Sequence, residues 1–175
     1  MYLTRKEIFG QYEALRKTYD YMLEREQQIK TVFEKHKPKS LTFIGCGSGY
    51  TLCHSGEVST KLRLNLPANA VAAGDLLVNF EQYRGLLTDT MIIAASRSGG
   101  TSEVVLSVER AKEMGVPTVA IPAKENSPLA ALAELSLEIP WVFDESVCQT
   151  RTVTNFYAAQ LLLIAILAED RQLLA

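Results

Sequence analysis

The segment Met91-Ile92-Ile93-Ala94-Ala95-Ser96-Arg97-Ser98-Gly99-Gly100-Thr101-Ser102-Glu103 constrains the fold most. An apolar run stops abruptly there in a hydroxyl- and glycine-rich turn, which leads straight into a helical pattern. A buried strand that delivers a polar loop onto a helix N-terminus is the reading this pattern supports. The loop N–H groups, the hydroxyls of Ser96, Ser98 and Thr101, and the positive end of the helix dipole then converge on one point, which suits a phosphate. A second junction of the same kind lies upstream at Leu41-Thr42-Phe43-Ile44-Gly45-Cys46-Gly47-Ser48-Gly49-Tyr50. Two such junctions in one small chain point to a bound phosphorylated metabolite.

From Ser40 onward, short apolar β-prone runs alternate with helical patterns. The spacing predicts strands near Leu41–Ile44, Ala70–Ala73, Met91–Ala95, Thr118–Ile121 and Leu137–Ile139. It predicts helices near Thr51–Leu64, Thr101–Met114, Pro128–Ala133 and Thr152–Ala168. Gly115 follows Met114 where a helix C′ glycine belongs, and Ser127-Pro128 supplies an N-cap and an N1 proline. Strand and helix in alternation imply an α/β fold, a parallel sheet covered on both faces with ligands at the carboxyl ends of its strands.

Ahead of this lies a different pattern. Thr4-Arg5-Lys6-Glu7 reads as a capping box, and Ile8, Tyr12, Leu15, Tyr19, Met22, Ile29 and Phe33 recur at helical spacing until Lys37-Pro38-Lys39. One long amphipathic helix is expected, lying across the domain or docking a partner. The organisation is therefore residues 1–37 as an N-terminal helix and 38–175 as the ligand-binding domain.

Composition excludes several functions. A chain of 175 residues with 18 basic and 20 acidic side chains has no basic stripe for nucleic acid. The strongly apolar stretch Phe156 to Ala168 contains Gln160 and is too short to cross a bilayer, so no membrane association is expected. Cys46, Cys53 and Cys148 are odd in number and lack metal-ligand spacing, which argues against a disulfide framework and for a reducing cytoplasm, with Cys46 and Cys53 expected as buried small apolar residues. Cys46 and Cys53 with His54 match no zinc pattern, and neither a metal nor a cofactor is expected. Gly45-x-Gly47-x-Gly49 invites a dinucleotide-binding reading. Tyr50 stands where the third glycine belongs, however, and Asp75 comes too late for the ribose-binding acid. A Walker loop is excluded because no Gly-Lys-Ser/Thr follows either glycine cluster.

The glycine loop from Phe43 to Tyr50, followed by the Ser96-Arg97-Ser98-Gly99-Gly100-Thr101 turn, resembles the sugar isomerase (SIS) domain family, whose hallmark is a Ser-x-Ser-Gly-x-Thr/Ser turn downstream of a glycine loop. Glu145-Ser146-Val147-Cys148-Gln149-Thr150-Arg151-Thr152 is similar to its third landmark, a Glu and then a hydroxyl-rich helix start. The resemblance runs from about Ser40 to Ala168. Within the family it points toward the isomerase half of glucosamine-6-phosphate synthase and toward amino-sugar-phosphate isomerase/deaminases and fructosamine-phosphate deglycases. It implies a three-layer α-β-α sandwich with a five-stranded parallel sheet of flavodoxin-like type. It also implies that Ser96, Arg97, Ser98 and Thr101 hold the phosphate, that Cys46, Gly47, Ser48 and Gly49 line the sugar, and that Gln149 and Thr150 meet its hydroxyls. Gly100 departs from the Glu common in that turn, and Gly49 stands where the synthase carries a serine.

Aldose–ketose isomerisation needs a base that moves a proton between neighbouring carbons and an anchor for the phosphate. Glu145 is the best local candidate for the base, its alternative being an exposed loop carboxylate. His54 is a candidate ring-opening group or a helix-face histidine, and Glu57 is structural. In the tandem relatives a second domain supplies the base and a C-terminal lysine, so the chain is expected to bind without turnover unless it is a compact enzyme. Two readings follow: part of an amino- or keto-sugar-phosphate isomerase or deaminase, or a sugar-phosphate sensor. The expected partners are a phosphorylated sugar or amino sugar and a second copy of the chain, because the N-terminal stripe and the apolar terminal helix both need cover.

Overall fold

Parallel strands place all their carboxyl ends at one edge of a sheet, and that arrangement organises this molecule. The computed structural model describes residues 2–174. Five strands, β1 (Ser40–Gly45), β2 (Ala68–Ala72), β3 (Thr90–Ser96), β4 (Thr118–Pro122) and β5 (Leu135–Ser136), form a wholly parallel sheet in the order β2-β1-β3-β4-β5. The register sets Phe43 beside Ile93 and Ile93 beside Val119. All seven residues of β3 are buried, as expected of a central strand covered on both faces.

Alternation along the strands divides the core in two. Leu41, Phe43, Met91, Ile93, Ala95, Val119 and Ile121 face one layer. That layer holds α1 (Leu3–Phe9), α2 (Gln11–Glu24), α3 (Glu26–His36), α4 (Ser48–Leu64) and α9 (Arg151–Leu167). Ile44, Ile92, Ala94 and Ala120 face the other. It is built from α5 (Ala73–Val78), α6 (Phe80–Tyr83), α7 (Ser102–Glu113) and α8 (Pro128–Leu132). The result is the three-layer α/β sandwich that the sequence predicts. Gly115 closes α7 at φ +78, and Ser127 Oγ caps α8 by accepting from Ala130 N at 3.3 Å.

Several expectations are corrected. The N-terminal segment is three helices rather than one, broken at Gly10 and Arg25. At Gly10 a Cβ would lie 3.4 Å from Arg151 Nη1, so the break lets α9 approach closely. The capping box does not form: α1 starts at Leu3, Thr4 lies inside it, and Glu7 is buried in a different role. Strand β5 is shorter and earlier than Leu137–Ile139. Leu137 N and Ile139 N nevertheless still donate to Ala120 O (2.8 Å) and Pro122 O (3.0 Å), and Pro140 then turns the chain. Helices α5 and α6 were not anticipated. Leu76, Phe80, Tyr83 and Leu87 are spaced to reveal them, and Leu76, Phe80 and Leu87 are buried.

Helix α9 is also covered differently. It buries Phe156, Ala159, Gln160 and every residue from Leu162 to Ile166 within its own chain, against α2, α3 and α4. No second copy is needed to cover that face.

Candidate functional site

The cleft opens at the carboxyl ends of β1 and β3. Cys46, Gly49, Ala95, Ser96, Arg97, Ser98, Thr101, Val104, Gln149 and Phe156 line it. Three loops, far apart in sequence, meet there.

The turn after β3 is held by its own atoms. Gly99 N donates to Ser96 O and Ser96 Oγ, both at 3.2 Å, and Ser96 Oγ pairs with Thr101 Oγ1 at 3.1 Å. Ser96 is nearly buried, so its hydroxyl shapes the turn from within. Gly99 has φ +60, and a Cβ there would come within 2.1 Å of Ser127 Oγ, so only glycine fits. Leu129 N donates to Gly99 O at 2.9 Å, which fixes the turn against α8. Thr101 is the N-cap residue of α7 but makes no side-chain cap bond. The first-turn N–H groups of a twelve-residue helix are thus left uncapped beside exposed Ser98, an arrangement suited to an anion.

The loop after β1 is equally tight. A Cβ on Gly45 would lie 2.7 Å from the Gly49 carbonyl carbon, and Gly47 has φ +54. Gly49 N donates to Cys46 O at 3.0 Å. Cys46 and Gly49 reach the cleft, whereas Gly47 and Ser48 are exposed and do not line it. Burial, and secondarily the Glu103 carboxylate, push the Cys46 thiol pKa up, and burial pushes Cys53 up to about 12. Both are held as thiols; Cys53 is buried as the sequence suggests, whereas Cys46 is half-buried at the cleft because its loop carries it out of the core, and Cys148 is exposed.

The third loop joins β5 to α9 and is organised by two buried carboxylates. Asp144 Oδ2 accepts from Thr150 N (2.7 Å) and Thr152 N (2.9 Å), capping α9 from upstream. Glu7 Oε1 accepts from Glu145 N (2.8 Å) and Ser146 N (3.1 Å), and its Oε2 meets Ser146 Oγ. Burial alone would raise the Glu7 pKa. The bonds from Ser146 and Glu145, with the nearby Arg151 charge, outweigh it and hold the carboxyl below the usual range.

The predicted site residues divide accordingly. Cys46, Gly49, Ser96, Arg97, Ser98, Thr101 and Gln149 come together in the cleft. The Arg97 guanidinium turns toward the third loop, donating to Ser146 O (2.9 Å) and Asp144 O (3.4 Å). Thr150 Oγ1 is buried with no hydrogen-bond partner among the described residues and is not part of the cleft lining. Glu145 offers its N–H to Glu7, while its side chain is exposed and outside the lining set. His54 is exposed on α4, edge-on to Tyr50 and 3.6 Å from Glu57 Oε2. Sequence reasoning missed Glu7, Asp144 and the latch made by Arg97. Asp144, an acid shortly before a helix start, carried a usable signal. Among the described residues no three His, Cys, Asp or Glu side chains cluster as metal ligands, and no helix is long and apolar enough to cross a membrane.

A parallel α/β sandwich whose central strand hands a serine turn to a helix N-terminus belongs to the class of α/β domains that gather their polar loops at the carboxyl ends of the strands. Residues 36–169 match the SIS domain, and the chain belongs to that family. It is 26% identical to glutamine–fructose-6-phosphate aminotransferase (isomerizing) of Campylobacter jejuni, across 98% of this chain and 29% of that protein. Its fold matches tagatose-6-phosphate ketose/aldose isomerase from Escherichia coli with TM-score 0.86 at 20% identity, covering 97% of this chain and 48% of that one. It also matches the C-terminal domain of glucosamine-fructose-6-phosphate aminotransferase from Francisella tularensis, with TM-score 0.85 at 20% identity and coverage of 98% and 50%. The chain thus spans about half of those two structures and under a third of the Campylobacter protein.

The Glu7 carboxylate gives a pH signature. Its folded pKa lies below the unfolded value, so its stabilisation is complete above the ordinary carboxylate pKa of about 4.3 and is lost as pH falls through the folded value. Glu7→Gln is expected to cost about 1–3 kcal/mol near pH 7. Urea unfolding should show the gap between variant and parent closing toward pH 3. A gap independent of pH contradicts the assignment.

Proposed function

We propose that the cleft binds a hexose 6-phosphate or its 2-amino derivative, as the phosphosugar-binding part of an aldose–ketose isomerase or an amino-sugar-phosphate deaminase. The observation that carries this is the turn from Ser96 to Thr101, locked in shape and set against the uncapped start of α7. A phosphate there would meet backbone N–H groups and the Ser98 and Thr101 hydroxyls. The sugar would extend past Cys46 and Gly49 toward Gln149. The relatives named above act, by their names, on fructose 6-phosphate or tagatose 6-phosphate, which supports a ketose phosphate as ligand.

Among the described lining residues none is a carboxylate or a histidine. That favours a second reading for the isolated chain, binding without turnover, with the proton-moving group coming from a further domain or another copy. Glu145 remains the candidate in the chain itself only if the third loop turns its side chain inward.

Titration calorimetry with fructose 6-phosphate, glucosamine 6-phosphate, glucosamine and inorganic phosphate tests the ligand class. Sugar phosphates should bind far more tightly than glucosamine, and equal affinities would defeat the proposal. Ser98→Ala and Thr101→Val should each cost about 1–3 kcal/mol of binding with little change in fold.

The proposal includes a cytoplasmic homodimer, its dimeric part supported by the exposed Leu3, Ile8, Phe9 and Tyr12 on the first two helices and by Tyr2 just before them. Sedimentation equilibrium at micromolar concentration should give twice the 19.4 kDa chain mass, and a monomer would remove this part.

A further inference from the structure

Glu7 lies outside residues 36–169 that define the family match, on a seven-residue helix at the start of the chain. The residue is nonetheless only 4% exposed, and its carboxylate is tied to a loop 138 residues away. Burying a carboxylate is costly unless its oxygens are hydrogen-bonded, and here the Glu145 N–H, the Ser146 N–H and the Ser146 hydroxyl supply those bonds. Releasing the loop would leave the charge buried and unpaired, so α1 and the loop must move together or not at all.

The same loop residue is held from its other side. Ser146 gives its N–H to Glu7 and its carbonyl to Arg97 Nη1, whose backbone belongs to the phosphate turn. Gln149, three residues on, is the loop's contribution to the cleft lining. Ser146 is therefore clamped between α1 and the serine turn, and the clamp fixes how far Gln149 stands from that turn.

We propose that Glu7 is a positioning residue for the phosphosugar site, acting through Ser146 to set the third loop, and with it Gln149, against the phosphate turn. The inference rests on the phosphosugar reading of the cleft. The turn itself is independent of Glu7, because its bonds run among Ser96, Gly99 and Thr101 and to Leu129. Loss of Glu7 should thus weaken recognition of the sugar and spare recognition of phosphate. Other ties of the N-terminal helices serve as a control. Thr18 Oγ1 donates to Asn155 Oδ1 (2.6 Å) and accepts from Trp141 Nε1 (3.0 Å), holding α2 to α9 and to the start of the third loop while making no bond to Glu145, Ser146 or Gln149.

The test pairs amide hydrogen exchange with titration on the full chain, for the parent, Glu7→Gln, Ser146→Ala and Thr18→Val. In Glu7→Gln, exchange at Glu145 and Ser146 should rise at least tenfold. Affinity for fructose 6-phosphate should fall about tenfold, while affinity for inorganic phosphate changes less than about twofold. Ser146→Ala, which removes one of the three donors, should fall between, and it keeps the test open if Glu7→Gln does not fold. Thr18→Val should lower the melting temperature without either effect. Unchanged exchange at Glu145 and Ser146, equal losses for sugar phosphate and phosphate, or the same response in Thr18→Val would overturn the proposal. Failure of the parent to bind any sugar phosphate would defeat the functional reading instead; faster exchange in Glu7→Gln would then still establish the clamp, and unchanged exchange would refute it.

Discussion

The one-way direction of the sheet governs the rest of the structure. Because β1, β3, β4 and β5 run parallel, the polar loops that leave β1 and β3 open at the same edge, and the segment after β5 returns to it. Strand β3, buried along its whole length, carries only apolar side chains from Met91 to Ala95. The hydroxyls of the following turn are therefore concentrated where the chain first escapes the core. Gly45 and Gly99 let the two loops lie flat against neighbouring backbone and side chain, at spacings that no Cβ would tolerate. The same geometry leaves the first turn of α7 aimed at the cleft.

A second constraint comes from the helical layer that carries the N-terminus. Buried and half-buried polar groups there are satisfied in pairs that cross nearly the whole length of the chain: Glu7 with Ser146, Gln11 with Thr154, and Thr18 with Asn155 and Trp141. Each is lost if the N-terminal helices detach, so together these bonds specify one docking of α1 and α2 on α9 and the loop that precedes it. The third loop, which bears Gln149, inherits its position from that docking. The loop conformation at the strand ends is thus tied to residues near the start of the chain, well outside the loops themselves.

Much of this was legible in the sequence, for a physical reason. The serine turn and the glycine loop are each contiguous in the chain, and their chemistry can be read without knowing what lies beside them. The alternation of strand and helix likewise shows itself through local periodicity. What escaped was non-local. Glu7 looked like half of a capping box because its true donors are 138 residues distant. The tie from Arg97 to the third loop was hidden in the same way, because nothing local reveals that Asp144 and Ser146 offer it carbonyls. The single N-terminal helix failed at Gly10, where the deciding neighbour is Arg151. The apolar surface of α9 looked like an interface because the sequence could not show that α2, α3 and α4 already cover it.

A crystal structure of the chain with fructose 6-phosphate tests the central claim, that the turn after β3 is the phosphate site, most directly. The account predicts phosphate oxygens within hydrogen-bond distance of the Ser98 and Thr101 hydroxyls and the first N–H groups of α7, with the sugar directed toward Gln149. A phosphate bound elsewhere, with the Ser96–Thr101 turn empty at saturating ligand, would contradict it.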